Sequence, residues 1–236
     1  MAAIPFRSSL QAMALAMACA MVAPQAAWAQ TAPSPSEAAA YQGLHAAAHK
    51  GNTDKIATLV AANADLNARD TNGRTPLHVA AFARQREAIR ALAKAGAKLE
   101  LLDNDRYDAV TIASVADDEE TLRALLALGA SAKLVTSRYD GTALIAAAHL
   151  GHDGVVRQLV AAGAPVDHVN NLHWTATIEV VVLGDGGPRH QRSLAALIAA
   201  GANLKLADRQ GLTPLQLARA RGYAAMVQML VAAGAT

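Results

Sequence analysis

Two histidine pairs stand at spacings that bring both rings to one side of a helix: His45 and His49, four residues apart, and His149 and His152, three apart. The first spacing is that of a helical zinc motif, in which two imidazoles hold the metal and a glutamate after the first acts as base. Ala46 follows His45, so the glutamate is missing, and His45 falls at the same place in a recurring pattern as His78. His152 belongs to a Gly-His pair at a turn between helices. The stretch Gly184–His190 has glycines and Arg189 but no Gly-Lys-Ser/Thr, so an inter-helix loop is the default reading and an anion cradle the alternative. Asp117, Asp118, Glu119 and Glu120 form an acidic run that reads as a solvated helix start favoured by the helix dipole, with a cation site as the alternative. No Gly-x-Ser-x-Gly occurs, and the scattered carboxylates nominate no acid–base pair. The reading therefore assigns no catalytic residue, no metal site and no cofactor, and expects no enzyme.

These residues sit in a repeat. Asp70-Thr71-Asn72-Gly73-Arg74-Thr75-Pro76-Leu77 is nearly restated as Asp208-Arg209-Gln210-Gly211-Leu212-Thr213-Pro214-Leu215. Asp-x-x-Gly is turn chemistry, since Asp bonds its own backbone and Gly accepts positive φ. Thr-Pro starts a helix: the hydroxyl caps exposed N–H groups, and proline loses nothing at the first helical position. A Gly-Ala pair, the mark of a helix end, recurs at Gly96, Gly129, Gly163, Gly201 and Gly234, with Asn63-Ala64 as an earlier copy. The intervals are 33, 33, 34, 38 and 33 residues. Between the marks lie equivalent apolar pairs such as Ile89 and Leu92, Leu122 and Leu125, Leu194 and Leu197, which give each unit one face to bury against its neighbours. Such stacking explains 53% hydrophobic residues with only 3% aromatics.

A period near 33 with a turn and two short helices per unit resembles the ankyrin repeat. The resemblance covers residues 37–236 and implies an all-α solenoid of about six helix-turn-helix repeats with β-turn fingers, over approximately 37–69, 70–102, 103–136, 137–169, 170–207 and 208–236. Ser34-Pro35-Ser36-Glu37 is a capping box, and one first helix is expected from there to about His49 or Lys50. The five-residue excess of the fifth repeat is expected to lengthen the loop between its helices. The resemblance also implies that the histidine shared by His45 and His78 bonds the backbone between turns, and that partners bind a concave side made of fingers and of the late first-helix positions, the palm. Carried over by position, the candidate contacts are Arg74, Tyr107, Arg138, Tyr139 and Trp174 on fingers, His49, Lys50, Phe82, His149 and Leu150 on the palm, and Tyr41 before the first helix cap. Aromatic and arginine side chains on one face are what binding hot spots are made of. Tyr107 and Trp174 keep a second reading, packing against the neighbouring finger.

Residues 1–29 read as a secretory signal peptide: Arg7 in a short basic start, an apolar run from Leu10 to Ala23, and a small-x-small end at Ala27-Trp28-Ala29. Cys19, the only cysteine, sits in a faint lipoprotein-type context without the usual leucine. Cleavage after Ala29 would leave no thiol, a balanced 20 basic and 19 acidic residues, a disordered leader over 30–36, and no membrane-inserted segment. Balanced charge argues against nucleic acid as a partner. The expectation is a monomeric, periplasmic or secreted protein that binds another protein, protecting or assisting an envelope enzyme. The alternatives are an immunity or antagonist protein against a toxin, or a small-ligand or ion binder using the Gly184–His190 loop.

Overall fold

The computed structural model describes residues 30–236; the signal peptide, its cleavage after Ala29 and the Cys19 context lie outside the described residues. The chain is a stack of antiparallel helix pairs. After a short α1 (Pro35–Ala40), the pairs are α2 (Gly43–His49) with α3 (Thr53–Ala61), α4 (Pro76–Phe82) with α5 (Arg86–Lys94), and α6 (Ala109–Val115) with α7 (Glu119–Ala127). They continue with α8 (Ala143–His149) and α9 (Asp153–Ala161), α10 (Ala176–Val182) and α11 (Pro188–Ala199), and α12 (Pro214–Ala220) and α13 (Ala224–Ala232). Each pair packs on the next, so the core runs through the stack as one cluster. The apolar pairs expected at its centre are there: Ile89, Leu92, Leu122, Leu125, Leu194 and Leu197 are all fully buried.

The turn chemistry works as its residue types dictate. One Asp70 oxygen accepts from the N–H groups of Asn72 and Arg74, at 2.9 and 2.8 Å. Asp103, Asn170 and Asp208 repeat the arrangement two and four residues ahead. In the fourth finger Ser137 takes over with longer bonds of 3.2 and 3.4 Å, and its flanks form a two-residue hairpin, β1 (Val135–Thr136) with β2 (Gly141–Thr142). Fingers are laddered by main-chain bonds: Asn104 N–H to the Asn72 carbonyl, Ser137 to Arg106, Asn171 to Tyr139. Gly73 is doubly required, because its φ is +72° and a Cβ there would stand 2.2 Å from Asn104 Oδ1.

Three expectations are corrected. The first helix is broken: Tyr41 and Gln42 are extended and Gly43 has φ +53°, so α1 and α2 are separate elements. The leader 30–36 is not a loose tail but is bonded to the fingers, through the Thr31 hydroxyl to Asp105 and the Thr31 carbonyl from Arg74. The excess of the fifth repeat is only partly loop. Residues 183–187 link α10 to α11 where other pairs use three residues, and the rest adds nearly a turn to the start of α11, which has 12 residues against nine in its counterparts.

Candidate functional site

The palm is built from the sides of α2, α4, α6, α8, α10 and α12 that face away from the second helices, and the fingers rise from its edge. Five of these six helices are capped by a hydroxyl or carboxylate that the sequence supplies, Thr75, Asp108, Thr142, Thr175 and Thr213, while α2 starts after Gln42 with no side-chain cap. The histidine slot is filled as expected. His45 Nε2 and His78 Nε2 lie 3.0 Å from the carbonyls of Arg74 and Tyr107, one finger ahead. Burial pushes His78 down to about 4, which keeps it neutral at neutral pH.

The candidate contacts divide. Tyr139 and Trp174 are half-buried on consecutive fingers, which the Asn171-to-Tyr139 main-chain bond joins. Arg138 is exposed and reaches Asp105 at 3.5 Å. On the palm, Lys50 is exposed, while His49, Phe82, His149 and Leu150 are half-buried. Phe82 leans on the core. Tyr41 is tied down, donating to Asp70 at 2.7 Å and stacking on His45 at 5.4 Å, with His49 tilted beside it at 6.3 Å. Two nominees are corrected. Arg74 is fully buried, because Glu37, Asp70 and the Thr31 carbonyl take its guanidinium. Tyr107 is 5% exposed and belongs to the core, the second of the two readings kept for it.

One palm residue was missed. Glu179 is fully buried in α10, at the slot held by Val79, Ile112 and Ala146 in other repeats. Asn170 donates to one oxygen at 2.9 Å, and His149 Nδ1 lies 3.3 Å from the other. Burial raises its pKa while His149 opposes the shift. The signal was legible as a pair of departures: a glutamate in an apolar slot, together with Asn170 where three other fingers have Asp70, Asp103 and Asp208. An aspartate there would set two carboxylates against each other.

The remaining nominees for chemistry are engaged by the chain itself. The acidic run is the helix start expected of it, with Glu119 and Glu120 in the first turn of α7 and Glu120 exposed, and it is also paired: Asp118 caps α7 and pairs with Arg84 and Arg86, Glu120 pairs with Arg86, and Asp117 pairs with Arg189. In the Gly184–His190 loop, Asp185 holds the Gly187 N–H and His190, His190 reaches the His149 carbonyl, and Tyr223 donates to the Gly184 carbonyl. A Cβ at Gly184 would stand 2.2 Å from the Val180 carbonyl, so the chain leaves α10 by a close approach that only glycine allows. Among the described residues no group of three or more His, Cys, Asp or Glu converges as a metal site, and no helix is long and apolar enough to cross a membrane.

Comparison with known proteins agrees with this architecture. Residues 33–103 match the family model for ankyrin repeats in three copies, and 139–171 and 210–236 match the single ankyrin repeat. The chain is 36% identical over 190 residues to YahD of Escherichia coli (strain K12), named as an ankyrin repeat protein, covering 80% of this chain and 94% of that one. An ankyrin repeat domain from Acinetobacter baumannii AYE, solved by crystallography, is 43% identical with a TM-score of 0.77, covering 82% of this chain and 98% of that one. The ankyrin repeat domain of Bcl-3, an IkappaB family member, is 28% identical with a TM-score of 0.74, covering 84% and 88%.

Proposed function

The chain belongs to the ankyrin-repeat family, whose repeats mediate protein–protein interaction, and from that premise we propose that it is a non-catalytic module of the bacterial envelope that holds another protein on its finger and palm face. The observation that carries the reading is the half-buried pair Tyr139 and Trp174 on consecutive fingers, with exposed Arg138 next to Tyr139 in the chain. A rigid face of this kind binds without prior ordering, so little affinity is lost to entropy. The envelope location rests on the signal-peptide pattern of residues 1–29. Protection or assistance of an envelope enzyme is the role we assign, and the partner is a folded protein that shares that compartment.

The test is a comparison of partners recovered after crosslinking from the periplasm, using the full chain and its Tyr139→Ala/Trp174→Ala variant. Both side chains are half-buried at the surface, so the stack should stay folded, and loss of such anchors costs about 2 kcal/mol or more each in interfaces of this type. Recovery is expected to fall steeply. Unchanged recovery by a variant with wild-type circular dichroism would sink the proposal. The alternative, small-ligand binding by the Gly184–His190 loop, is less favoured, because the Asp185 and His190 side chains are already bonded within the chain. A melting-temperature screen with phosphate and divalent metals is expected to show no shift of several degrees.

A further inference from the structure

The segment ahead of the first helix pair, residues 30–40, lies on two of the fingers that the family uses for recognition. Arg74 Nη2 donates to Glu37 Oε1 at 2.7 Å, and Asn72 Nδ2 donates to the same oxygen at 2.7 Å. Arg74 Nη1 donates to the Thr31 carbonyl at 3.0 Å, and the Thr31 hydroxyl donates to Asp105 Oδ2 at 3.0 Å. Thus the fingers of repeats two and three hold Thr31 in a non-helical lead-in, followed by a helix start with a carboxylate at its third position. The hold is polar. α1 buries none of its residues, whereas each other helix buries at least one. Lifting the segment therefore opens no core, which is the character of a locally detachable unit.

We propose that residues 30–40 are an in-chain ligand covering a recognition site centred on Arg74, and that this site takes in trans an acidic helix start of a partner protein, a short non-helical lead-in followed by a helix with a carboxylate in its first turn. The inference rests on the finger-and-palm reading and adds the partner's chemistry at repeats two and three. Charge complementarity carries it. Arg74 is a fully buried arginine whose guanidinium faces Asp70 from its own finger and Glu37 from the covering segment. With the segment lifted, Asp70 keeps one edge of the guanidinium and the other edge is left for a new carboxylate, the bidentate-capable fork that favours arginine for this work. A tethered segment acts at an effective concentration near millimolar, so it holds the site against weak competitors and yields to a partner that also grips the outer fingers.

The experiment uses the full chain, its Thr31→Val/Glu37→Ala variant with a weakened segment, and a fluorescein-labelled synthetic peptide of residues 30–41. Anisotropy is followed as protein is titrated to about 1 mM, the range of the tether's effective concentration. The weakened chain is expected to bind the peptide saturably, and the wild-type chain at least about tenfold more weakly. Adding Arg74→Ala or Asn72→Ala to the weakened chain, or Ala for Glu37 in the peptide, should remove binding. Hydrogen exchange should show the amides of residues 34–40 protected in the wild type and fast in the weakened chain. Absence of saturable binding by a weakened chain that is folded by circular dichroism overturns the proposal. So does equal binding by the wild type, or binding indifferent to both Arg74→Ala and Asn72→Ala. If the peptide fails while partner recovery still depends on Tyr139 and Trp174, only the in-chain ligand falls and the wider reading stands.

Discussion

His78 is held in one tautomer by its neighbours. The Thr75 N–H points at Nδ1 across 3.0 Å, so Nδ1 accepts, and the proton on Nε2 is donated to the Tyr107 carbonyl. Protonation would place an N–H against an N–H inside a site that water does not reach. The folded pKa is about 4, below the ordinary value of 6.5, with burial as the first cause. The unfolded chain therefore binds the proton more readily, and the neutral histidine's contribution is present above about pH 6.5 and lost as pH falls toward 4. Linkage puts the loss at pH 5 on the order of 2 kcal/mol. His78→Gln should remove this slope, because Gln216 in the sixth repeat shows that glutamine can fill the slot, accepting from the Thr213 N–H at 2.9 Å. Urea unfolding at pH 7 and pH 5 would check it, and an equal pH dependence in both proteins would contradict the assignment. The slot itself was legible from the sequence, as the recurrence of Leu-His-x-Ala-Ala at Leu44 and Leu77. The burial of Tyr107 was one of two readings the sequence left open, and that of Arg74 was not legible, because it depends on Glu37 and Thr31, far away in the chain.

At the scale of elements, the extra residues of the fifth repeat act as a clasp. Three additional residues at the start of α11 carry Arg189 to where it bonds Asp117 of the third repeat at 2.6 Å, passing Asp153 of the fourth at 3.6 Å. Asp153 is nearly buried and also takes Arg157 at 2.8 Å and Arg192 at 2.9 Å. Hydrogen bonding from Arg192 leads the causes that hold its carboxyl well below the usual range. The arginines are half exposed, so the clasp should be modest and salt-sensitive. Arg189→Ala is expected to cost about 0.5–1 kcal/mol in dilute buffer and much less in 1 M NaCl. Asp153→Asn should cost more, about 1–3 kcal/mol, because it removes the negative charge shared by three cations and turns one nearly buried accepting oxygen into an amide donor facing arginine. Urea titrations at both salt concentrations separate these outcomes, and a salt-independent loss for Arg189→Ala would show that its packing matters and its charge does not. Length alone could announce the insertion, but not that Arg189 would find Asp117, since that contact spans 72 positions.

Across the whole molecule, stability is a sum over neighbours, and the neighbours are unequal. The inner repeats are sandwiched: Leu125 is fully buried with a helix pair on either side, and a main-chain rung ties each of fingers two, three and four to the next. The sixth repeat has one neighbour. Its finger lacks the main-chain rung and is tied to Asn171 by the Arg209 side chain. Val231 is 50% exposed, in the slot where Val60, Leu126, Val160 and Ile198 pack against the core. Arg219 stands where inner repeats have Ala81, Ser114, Ala148 and Val181, so the last repeat closes the stack with a charge where the others carry a surface for the next unit. In a chain of nearest-neighbour couplings, opening should start at this end and travel inward. Leu125→Ala and Leu230→Ala remove the same chemistry from equivalent, fully buried positions, each at a cost of about 2–5 kcal/mol. Leu125→Ala should lower the protection of the central helices together, because it breaks couplings on both sides. Leu230→Ala should speed exchange in α12 and α13 while α4 to α9 keep wild-type protection. Hydrogen exchange resolved by peptide would read this directly. A uniform loss in both variants would mean that the stack opens as a single unit, and the repeat-by-repeat independence read from a 33-residue period would then describe its sequence but not its energetics.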